Sequence, residues 1–257
     1  MNLTEQEILT AVALFVWPFV RISSLFIAIP VFSSRTTPVK VRIMLSFLIT
    51  LVVIPFLPAL PEVELMSYQG MMVTFQQMAI GLATAFILQM VFAVMMVAGQ
   101  SIAYSMGLGF ASMVDPVSGV QVPVVAQILM VAASLFFLSV NGHLLAIEVL
   151  IESFRTLPID TIGLDKTDLW MIIIWSGQMF AGGVLLAVPI MATILFINIS
   201  FGVASKAAPQ LQIFGVRFPI TIMLGMVLIW ITIPNMVDGF SMILSDGFQL
   251  VKQVLRV

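Results

Sequence analysis

The sequence predicts an all-α integral membrane protein of about six long apolar helices arranged as hairpins. Three observations carry that expectation. Of 257 residues, 61% are hydrophobic and 9% charged, whereas a soluble globular chain is roughly 45–50% apolar and about 25% charged. The few charges are spaced so that long neutral runs remain: 50 residues between Glu64 and Asp115, 32 between Asp115 and Glu148, 37 from Leu169 to Ser205, and 20 from Phe218 to Val237. A hydrocarbon core of about 30 Å needs roughly 20 helical residues, so these runs are long enough to cross it. Third, there is no cysteine, which removes disulfide-stapled secreted domains and thiolate-built zinc or iron–sulfur sites. A soluble enzyme domain and a disordered chain are excluded by the same composition. The net charge of −2 offers nothing basic enough to hold nucleic acid. No metal or cofactor is expected.

Taken in order, the first apolar stretch runs from Ile8 to Phe32 and is interrupted by Arg21. A secretory signal opens with positive charge, but Met1 to Glu7 holds Glu5 and Glu7 and no Lys or Arg, so this stretch is expected to stay as the first membrane helix. Val41 to Leu60 follows a short basic loop. The 50-residue run is too long for one span and predicts a helix near 71–97 followed by an irregular segment. The full set of expected spans is 9–32, 42–58, 71–97, 122–147, 169–201 and 214–237. Arg35, Lys40 and Arg42 sit in the first loop, while the flanking Glu62/Glu64 loop carries no basic residue. The positive-inside rule then places the first loop in the cytoplasm and the amino terminus outside. The later loops add Lys206 and Arg217 on the inner side against Arg155, Lys166, Lys252 and Arg256 on the outer side. That balance decides nothing, so the orientation rests on the first hairpin.

Several segments look unlike ordinary membrane helix. The run Met106-Gly-Leu-Gly-Phe-Ala-Ser-Met-Val-Asp-Pro-Val-Ser-Gly119 holds Gly107, Gly109, Pro116 and Gly119 and cannot sustain a helix, yet it is apolar and lies between hydrophobic runs. Irregular backbone at membrane depth is tolerated only where protein buries it or a cavity hydrates it. One reading is a re-entrant plug at a pore, with Phe110 and Met113 as deformable apolar stoppers; the other is an apolar interfacial loop. Arg21 lies about 20 Å along its helix. Either it is buried and paired, with Glu148, Asp238 or a carboxylate of another chain as candidates, or it snorkels to the interface. His143 is the only histidine; it reads as a polar helix-end contact or as a protonatable group in a proton path. The pairs Gly81/Ala85, Gly177/Ala181 and Gly183/Ala187 suit close helix packing. The 19 methionines suit adaptable packing or a soft pore lining. There is no phosphate-binding loop, carboxylate pair or intramembrane-protease motif, so no catalytic function is read.

Along nearly the whole chain these punctuating residues resemble the FliR family of flagellar biosynthetic proteins, which also provides a component of virulence type III secretion systems. The resemblance is carried by Arg21, Ile29-Pro30-Val31-Phe32, Pro38, Arg42, the Met106–Gly119 segment with Asp115, Asn141-Gly142-His143, Ser153-Phe154 and Leu157-Pro158. Later come Ala187-Val188-Pro189, Asn198, Gly202, Pro209-Gln210, Phe214 and Phe218-Pro219. Lys206 and Gln212 depart from the family's arginine and asparagine, keeping charge and hydrogen-bonding type. The resemblance implies one membrane domain over 1–257, with a FliP-like part over 1–168 carrying a plug loop at 106–120 and a FliQ-like hairpin over 169–257. It implies a helical export gate built with FliP and FliQ, contacted by FlhB and FlhA, that passes unfolded substrates across the bacterial inner membrane at the flagellar basal body. Gly107, Gly109, Phe110, Met113, Asp115, Pro116 and Gly119 would then gate the channel. Arg21, Pro38, Arg42, Asn141, His143, Pro189, Lys206, Pro209, Gln210 and Pro219 would serve assembly. A virulence-system component and a stand-alone transporter are the competing expectations. The transporter reading needs a second interrupted span matching the first, and the sequence has none.

Overall fold

The computed structural model describes residues 5–32, 37–58, 61, 63–108, 123–161, 163–207 and 217–257. Helix α1, Glu5–Ala28, contains Pro18 and turns Trp17, Ile22, Leu25 and Phe26 inward. Helix α2, Val39–Val53, starts directly after Pro38, whose backbone is extended. Its inward stripe is largely polar: Ser46 and Thr50 are buried together with Val53, whereas Met44, Phe47, Leu51 and Val52 are exposed. Both hydroxyls donate one turn back, to the Arg42 carbonyl at 2.8 Å and the Ser46 carbonyl at 2.7 Å, so neither is left unpaired. A helix with small polar residues inside and large apolar ones outside is built for a surrounding less polar than water. A single 3-10 turn, Ile54–Phe56, ends the element at its prolines.

Helix α3, Tyr68–Ser105, is 38 residues long, which is about 57 Å. Ser67 caps it by accepting the Gly70 N–H at 3.0 Å. From Ile87 to Ala103 it is mostly apolar and mostly buried, with Gln89 the one exposed side chain. At its far end the Gly107 N–H donates to the Tyr104 carbonyl and the Leu108 N–H to the Ala103 carbonyl, both at 3.0 Å, with Gly107 at φ +85°. This is a Schellman stop, and it needs the left-handed residue that glycine supplies most easily.

Two shorter helices follow, α4 at Val124–Ser139 and α5 at Gly142–Thr156. They are separated by a two-residue break and bent by 63°. Asn141 makes the bend in the left-handed region at φ 56°, which asparagine tolerates better than most residues. The last two helices are long: α6 spans Lys166–Ala207 and α7 spans Phe218–Leu255. At 42 residues α6 extends about 63 Å, roughly twice a hydrocarbon core.

Among the described residues four helices, α2 with its terminal turn, α3, α6 and α7, are long and apolar enough to cross a membrane, and the bent α4–α5 pair counts as a fifth if it is one span. The expected all-helical membrane architecture is therefore the one observed, with four or five span-length helices among the described residues where six were expected, and with different boundaries. The 122–147 segment is two helices, because Asn141-Gly142 breaks it. The segment expected at 71–97 runs on to Ser105, since nothing before Gly107 stops it. The last helix does not end near Val237: Asp238 and Asp246 lie on its exposed side and cost the helix nothing.

Helices α3, α6 and α7 each contribute to two compact units. The first comprises residues 1–90, 140–175 and 245–257; the second comprises 91–139 and 176–244. The second is centred on an aromatic cluster in which Phe92 meets Phe137 at 5.3 Å and Phe240 at 5.6 Å, both edge-on. In the same unit Gly183 lies against Val97 and Val94, so α6 approaches α3 closely there. Gly81, in the first unit, lies against the Arg21 carbonyl, and a Cβ added to it would stand 2.7 Å from Ser24 Cβ. Two of the three expected small-residue pairs thus do pack; around Gly177 there is open space.

Candidate functional site

The most concentrated polar chemistry in the first unit surrounds Arg21. Its residue exposure is 0%, so it does not snorkel. Nε donates to Gln77 Oε1 at 2.7 Å, Nη1 to Ser153 Oγ at 3.1 Å, and Nη2 to the Leu157 carbonyl at 2.8 Å. The guanidinium carbon stands 4.2 Å from the centroid of the Phe154 ring. None of these partners is an acid. Glu148 and Asp238, the intramolecular carboxylates expected to pair with Arg21, are both exposed. That expectation is corrected, and the helix end explains why a carboxylate is dispensable. Leu157 is the C-cap of α5, Ser153 and Phe154 form its last turn, and a helix C-terminus carries about half a negative charge. A ring face adds attraction for a desolvated cation. Arg21 is thus neutralised by a helix terminus and an aromatic face.

The approach depends on α3. Gln77 and Gly81 are one turn apart on the same face, and a Cβ at Gly81 would collide with the Arg21 carbonyl. Glycine lets α1 and α3 come close enough for Arg21 to reach Gln77. Ser153 also donates to the Leu150 carbonyl at 2.5 Å. Gln77 Nε2 is buried without a hydrogen-bond partner. Trp17 Nε1, one turn before Arg21, donates to Thr74 Oγ1 at 3.2 Å. A ladder of polar contacts therefore joins α1 to α3.

A second polar group closes the open end of α6 and α7. Asp165 accepts the N–H groups of Thr167 and Asp168 at 2.8 and 2.9 Å, and Asp168 accepts the Asp165 N–H at 2.9 Å, a reciprocal capping box. Arg256, in the left-handed region at φ 58°, reaches Asp165 at 3.3 Å and Asp168 at 3.2 Å. Thr156 Oγ1 donates to the Leu255 carbonyl at 2.6 Å, joining α5 to the end of α7. The Asp165 carboxyl is held below its ordinary value, first by the Asp168 N–H; desolvation opposes this, and the Thr167 N–H and then Arg256 add to the lowering. A lowered carboxyl pKa stabilises the fold above its unfolded value of 3.8 and loses that contribution as pH falls through the folded value. Arg256→Gly keeps the left-handed turn but removes the ion pairs. It should lower the melting temperature only slightly at low salt, as expected for largely exposed pairs, and the loss should shrink in high salt. Equal melting of the two proteins at low salt would refute the clasp.

The other expected site residues fall as follows. Pro38 starts α2, and Arg42 Nη2 reaches back to the Thr37 carbonyl at 3.0 Å. Gly107 forms the α3 stop. Asn141 makes the α4–α5 bend. His143, half-buried in the first turn of α5, has its Nδ1 shielded without a hydrogen-bond partner. Pro189 lies exposed within α6, and the Thr193 hydroxyl takes up its carbonyl at 2.8 Å. Lys206 is exposed in the last turn of α6, where a cation suits the helix dipole. Pro219 lies in the first turn of α7, where its missing N–H costs nothing. Arg217 Nε donates to Asn198 Oδ1 at 3.3 Å, tying the start of α7 to α6. Gly109, Phe110, Met113, Asp115, Pro116, Gly119, Pro209 and Gln210 lie outside the described residues. Of the residues named from sequence, the structure gathers Arg21, Ser153, Phe154 and Leu157 into one site. Gln77 and the Asp165–Asp168–Arg256 clasp are not among the expected residues, although Asp-x-x-Asp before an apolar run is a readable capping signal. Among the described residues no group of three or more His, Asp or Glu side chains could hold a metal ion.

The family model of bacterial export proteins, family 1, matches residues 12–247, which takes in Arg21 and all its partners. The chain belongs to that family. Its similarity to flagellar biosynthetic protein FliR of Escherichia coli K12 is 33% identity over 255 residues, 99% of this chain and 97% of the relative. The FliR of Pectobacterium carotovorum is 37% identical over the same length, and that of Buchnera aphidicola from Acyrthosiphon pisum is 33% identical over 246 residues. The family match ends at residue 247, so the Arg21 site and the Asp165–Asp168 pair lie inside the matched region and Arg256 lies beyond it. For this FliR-family chain the Arg21 site lies wholly among the described residues.

Proposed function

We propose that this chain is a core subunit of the flagellar type III export gate, resident in the bacterial inner membrane at the basal body. It assembles there with FliP and FliQ, meets FlhB and FlhA, and lines the path taken by unfolded export substrates. The family membership and the flagellar names of its relatives support the gate assignment and favour it over a virulence-system role. The structural observation that carries the assembly reading is the apolar exposure of α6 on more than one side. Large apolar side chains are exposed along it from Leu169 through Ile174, Phe180, Leu185 and Phe196 to Val203, a length of about 51 Å. A hydrocarbon core of about 30 Å cannot cover that length on an upright helix. Partner helices are the natural cover for the rest, and a FliQ-like role for α6–α7 accounts for a hairpin this long.

In this reading the segment 106–120 plugs the channel at rest. Gly107 supplies the stop that turns the chain out of α3 into that segment, and the side chains at Phe110 and Met113 close the path by excluding water. Co-expression of the tagged chain with FliP and FliQ tests the assignment. A stable complex of the three in mild detergent, together with restored swimming in a strain lacking its own FliR, is the expected result. Recovery of the chain alone, with swimming not restored, would overturn it.

A further inference from the structure

The outward face of α7 changes character at Pro234. Before it, Met223, Trp230 and Ile231 are exposed at 70%, 76% and 60%. After it, the exposed positions recur at helical spacing and are polar: Asn235, Asp238, Asp246, Gln249, Lys252 and Gln253, with Met242 the one large apolar exception. Asp238 and Asp246 have no ion-pair partner within 4.0 Å among the described residues. Charged and amide groups are strongly disfavoured against hydrocarbon, so this face does not meet lipid.

A helix end projecting into bulk water would also turn polar, but its neighbour at the same height would do so too. Helix α6 does not. In the second unit Gly182 lies against Ile243 and Gly239 against Leu186, which fixes the antiparallel register. Phe180, Val184 and Leu185 are therefore level with Asp238 and Met242, and all three are exposed and apolar. In the first unit the contrast repeats, with Ile173 and Ile174 of α6 exposed while Asp246, Gln249 and Lys252 of α7 are exposed. The two helices of one hairpin present opposite chemistries outward.

We propose that the hairpin is sided within each unit: the polar face of α7, Asn235 and Asp238 in the second unit and Asp246, Gln249, Lys252 and Gln253 in the first, borders a water-filled passage, while the α6 face at the same level is sealed by apolar cover. That the passage is the export path rests on the gate assignment above; the sidedness does not. A run of acid and amide side chains suits a wall past which unfolded polypeptide slides, because it wets the passage and offers little apolar surface to which a chain would stick.

The absence of native cysteine makes the test direct. Single cysteines are placed at Asp238→Cys and Gln249→Cys on α7, and at Leu185→Cys and Ile174→Cys on α6, in the full chain expressed with FliP and FliQ. Native membranes opened to both sides are treated with a charged thiol reagent that does not cross lipid, and each variant is also labelled after denaturation in SDS. The expected result is that the two α7 positions react at least about tenfold faster than the two α6 positions before denaturation, since apolar cover excludes the hydrated reagent. Equal fast labelling of all four would mean that this level stands in bulk water, and would overturn the sidedness. Protection of Asp238→Cys and Gln249→Cys until SDS is added would mean that a protein partner covers α7, and would overturn it as well. If the α7 positions label fast but the chain does not co-purify with FliP and FliQ, the sidedness stands and the gate assignment falls.

Discussion

Arg21→Ala is expected to abolish recovery of the assembled complex, a larger effect than any other single substitution in the first unit. The change strips three acceptors of their donor at once: Gln77 Oε1, Ser153 Oγ and the Leu157 carbonyl. Buried polar groups left unpaired cost about 1–3 kcal/mol each, and a side-chain-sized void costs more. With partial relaxation, a loss of roughly 3–5 kcal/mol is expected, comparable to breaking a buried ion pair. Most single domains hold only about 5–15 kcal/mol of net stability, so the variant is left marginal. Arg21→Lys keeps the charge and loses the fork. One ammonium at the end of a flexible stem cannot meet three acceptors spread over α3 and the end of α5, so recovery should be intermediate. Arg21→Met fills the space without donors and should fall nearer to alanine, because the Leu157 carbonyl remains unpaired at the helix end. Yield of co-purified complex and its melting temperature report all three. Normal yield for Arg21→Ala would show that the contacts seen around the guanidinium carry little energy.

The Arg21 site shows what a membrane sequence discloses and what it withholds. An arginine deep in an apolar run is visible at once as an anomaly, because its burial is costly. A carboxylate is the partner that charge alone suggests, yet within this chain neither Glu148 nor Asp238 is the one that Arg21 meets. Opposite charge in sequence is easy to see, whereas the partial charge of a helix terminus exists only after the helix has formed and ended. Ser153, Phe154 and Leu157 stand out in the sequence only as punctuation; their meeting with Arg21 is a tertiary fact, set by the close approach at Gly81. Periodicity predicts that helices fill the chain but misjudges where they stop. Charges bound the neutral runs, yet Asp238 and Asp246 ride on an exposed side of α7 and leave the backbone ladder untouched. Gly107 and Asn141 do mark ends, since each takes up a left-handed backbone that the helix cannot contain. Conformational punctuation is the better guide to helix ends in this chain; charge is the poorer one.

Deleting Phe110 to Val114 should open the resting membrane to ions while sparing assembly. The segment follows the Gly107 stop of α3, and α4 begins at Val124, so the deletion removes residues between two helices and none of the Arg21 site. If those residues close a narrow path, their loss removes the apolar constriction that keeps it dry. Water entry into such a constriction is steeply dependent on its width and polarity, so the leak should rise many-fold. Growth in the presence of a normally excluded small solute, together with loss of membrane potential by dye fluorescence, measures it. The complex should still co-purify at a yield near that of the parent, in contrast to Arg21→Ala. That pairing makes the two experiments informative together: one variant loses assembly through a satisfied buried site, the other keeps assembly and loses the seal. A deletion that assembles but leaves the membrane as tight as before would remove the plug from the proposed function and leave Phe110 and Met113 as ordinary loop residues. A deletion that fails to assemble is followed by Phe110→Ser with Met113→Ser, which retains chain length and removes only the apolar stoppers. The same leak is expected of that double variant, and a tight membrane in its presence would remove the plug just as firmly.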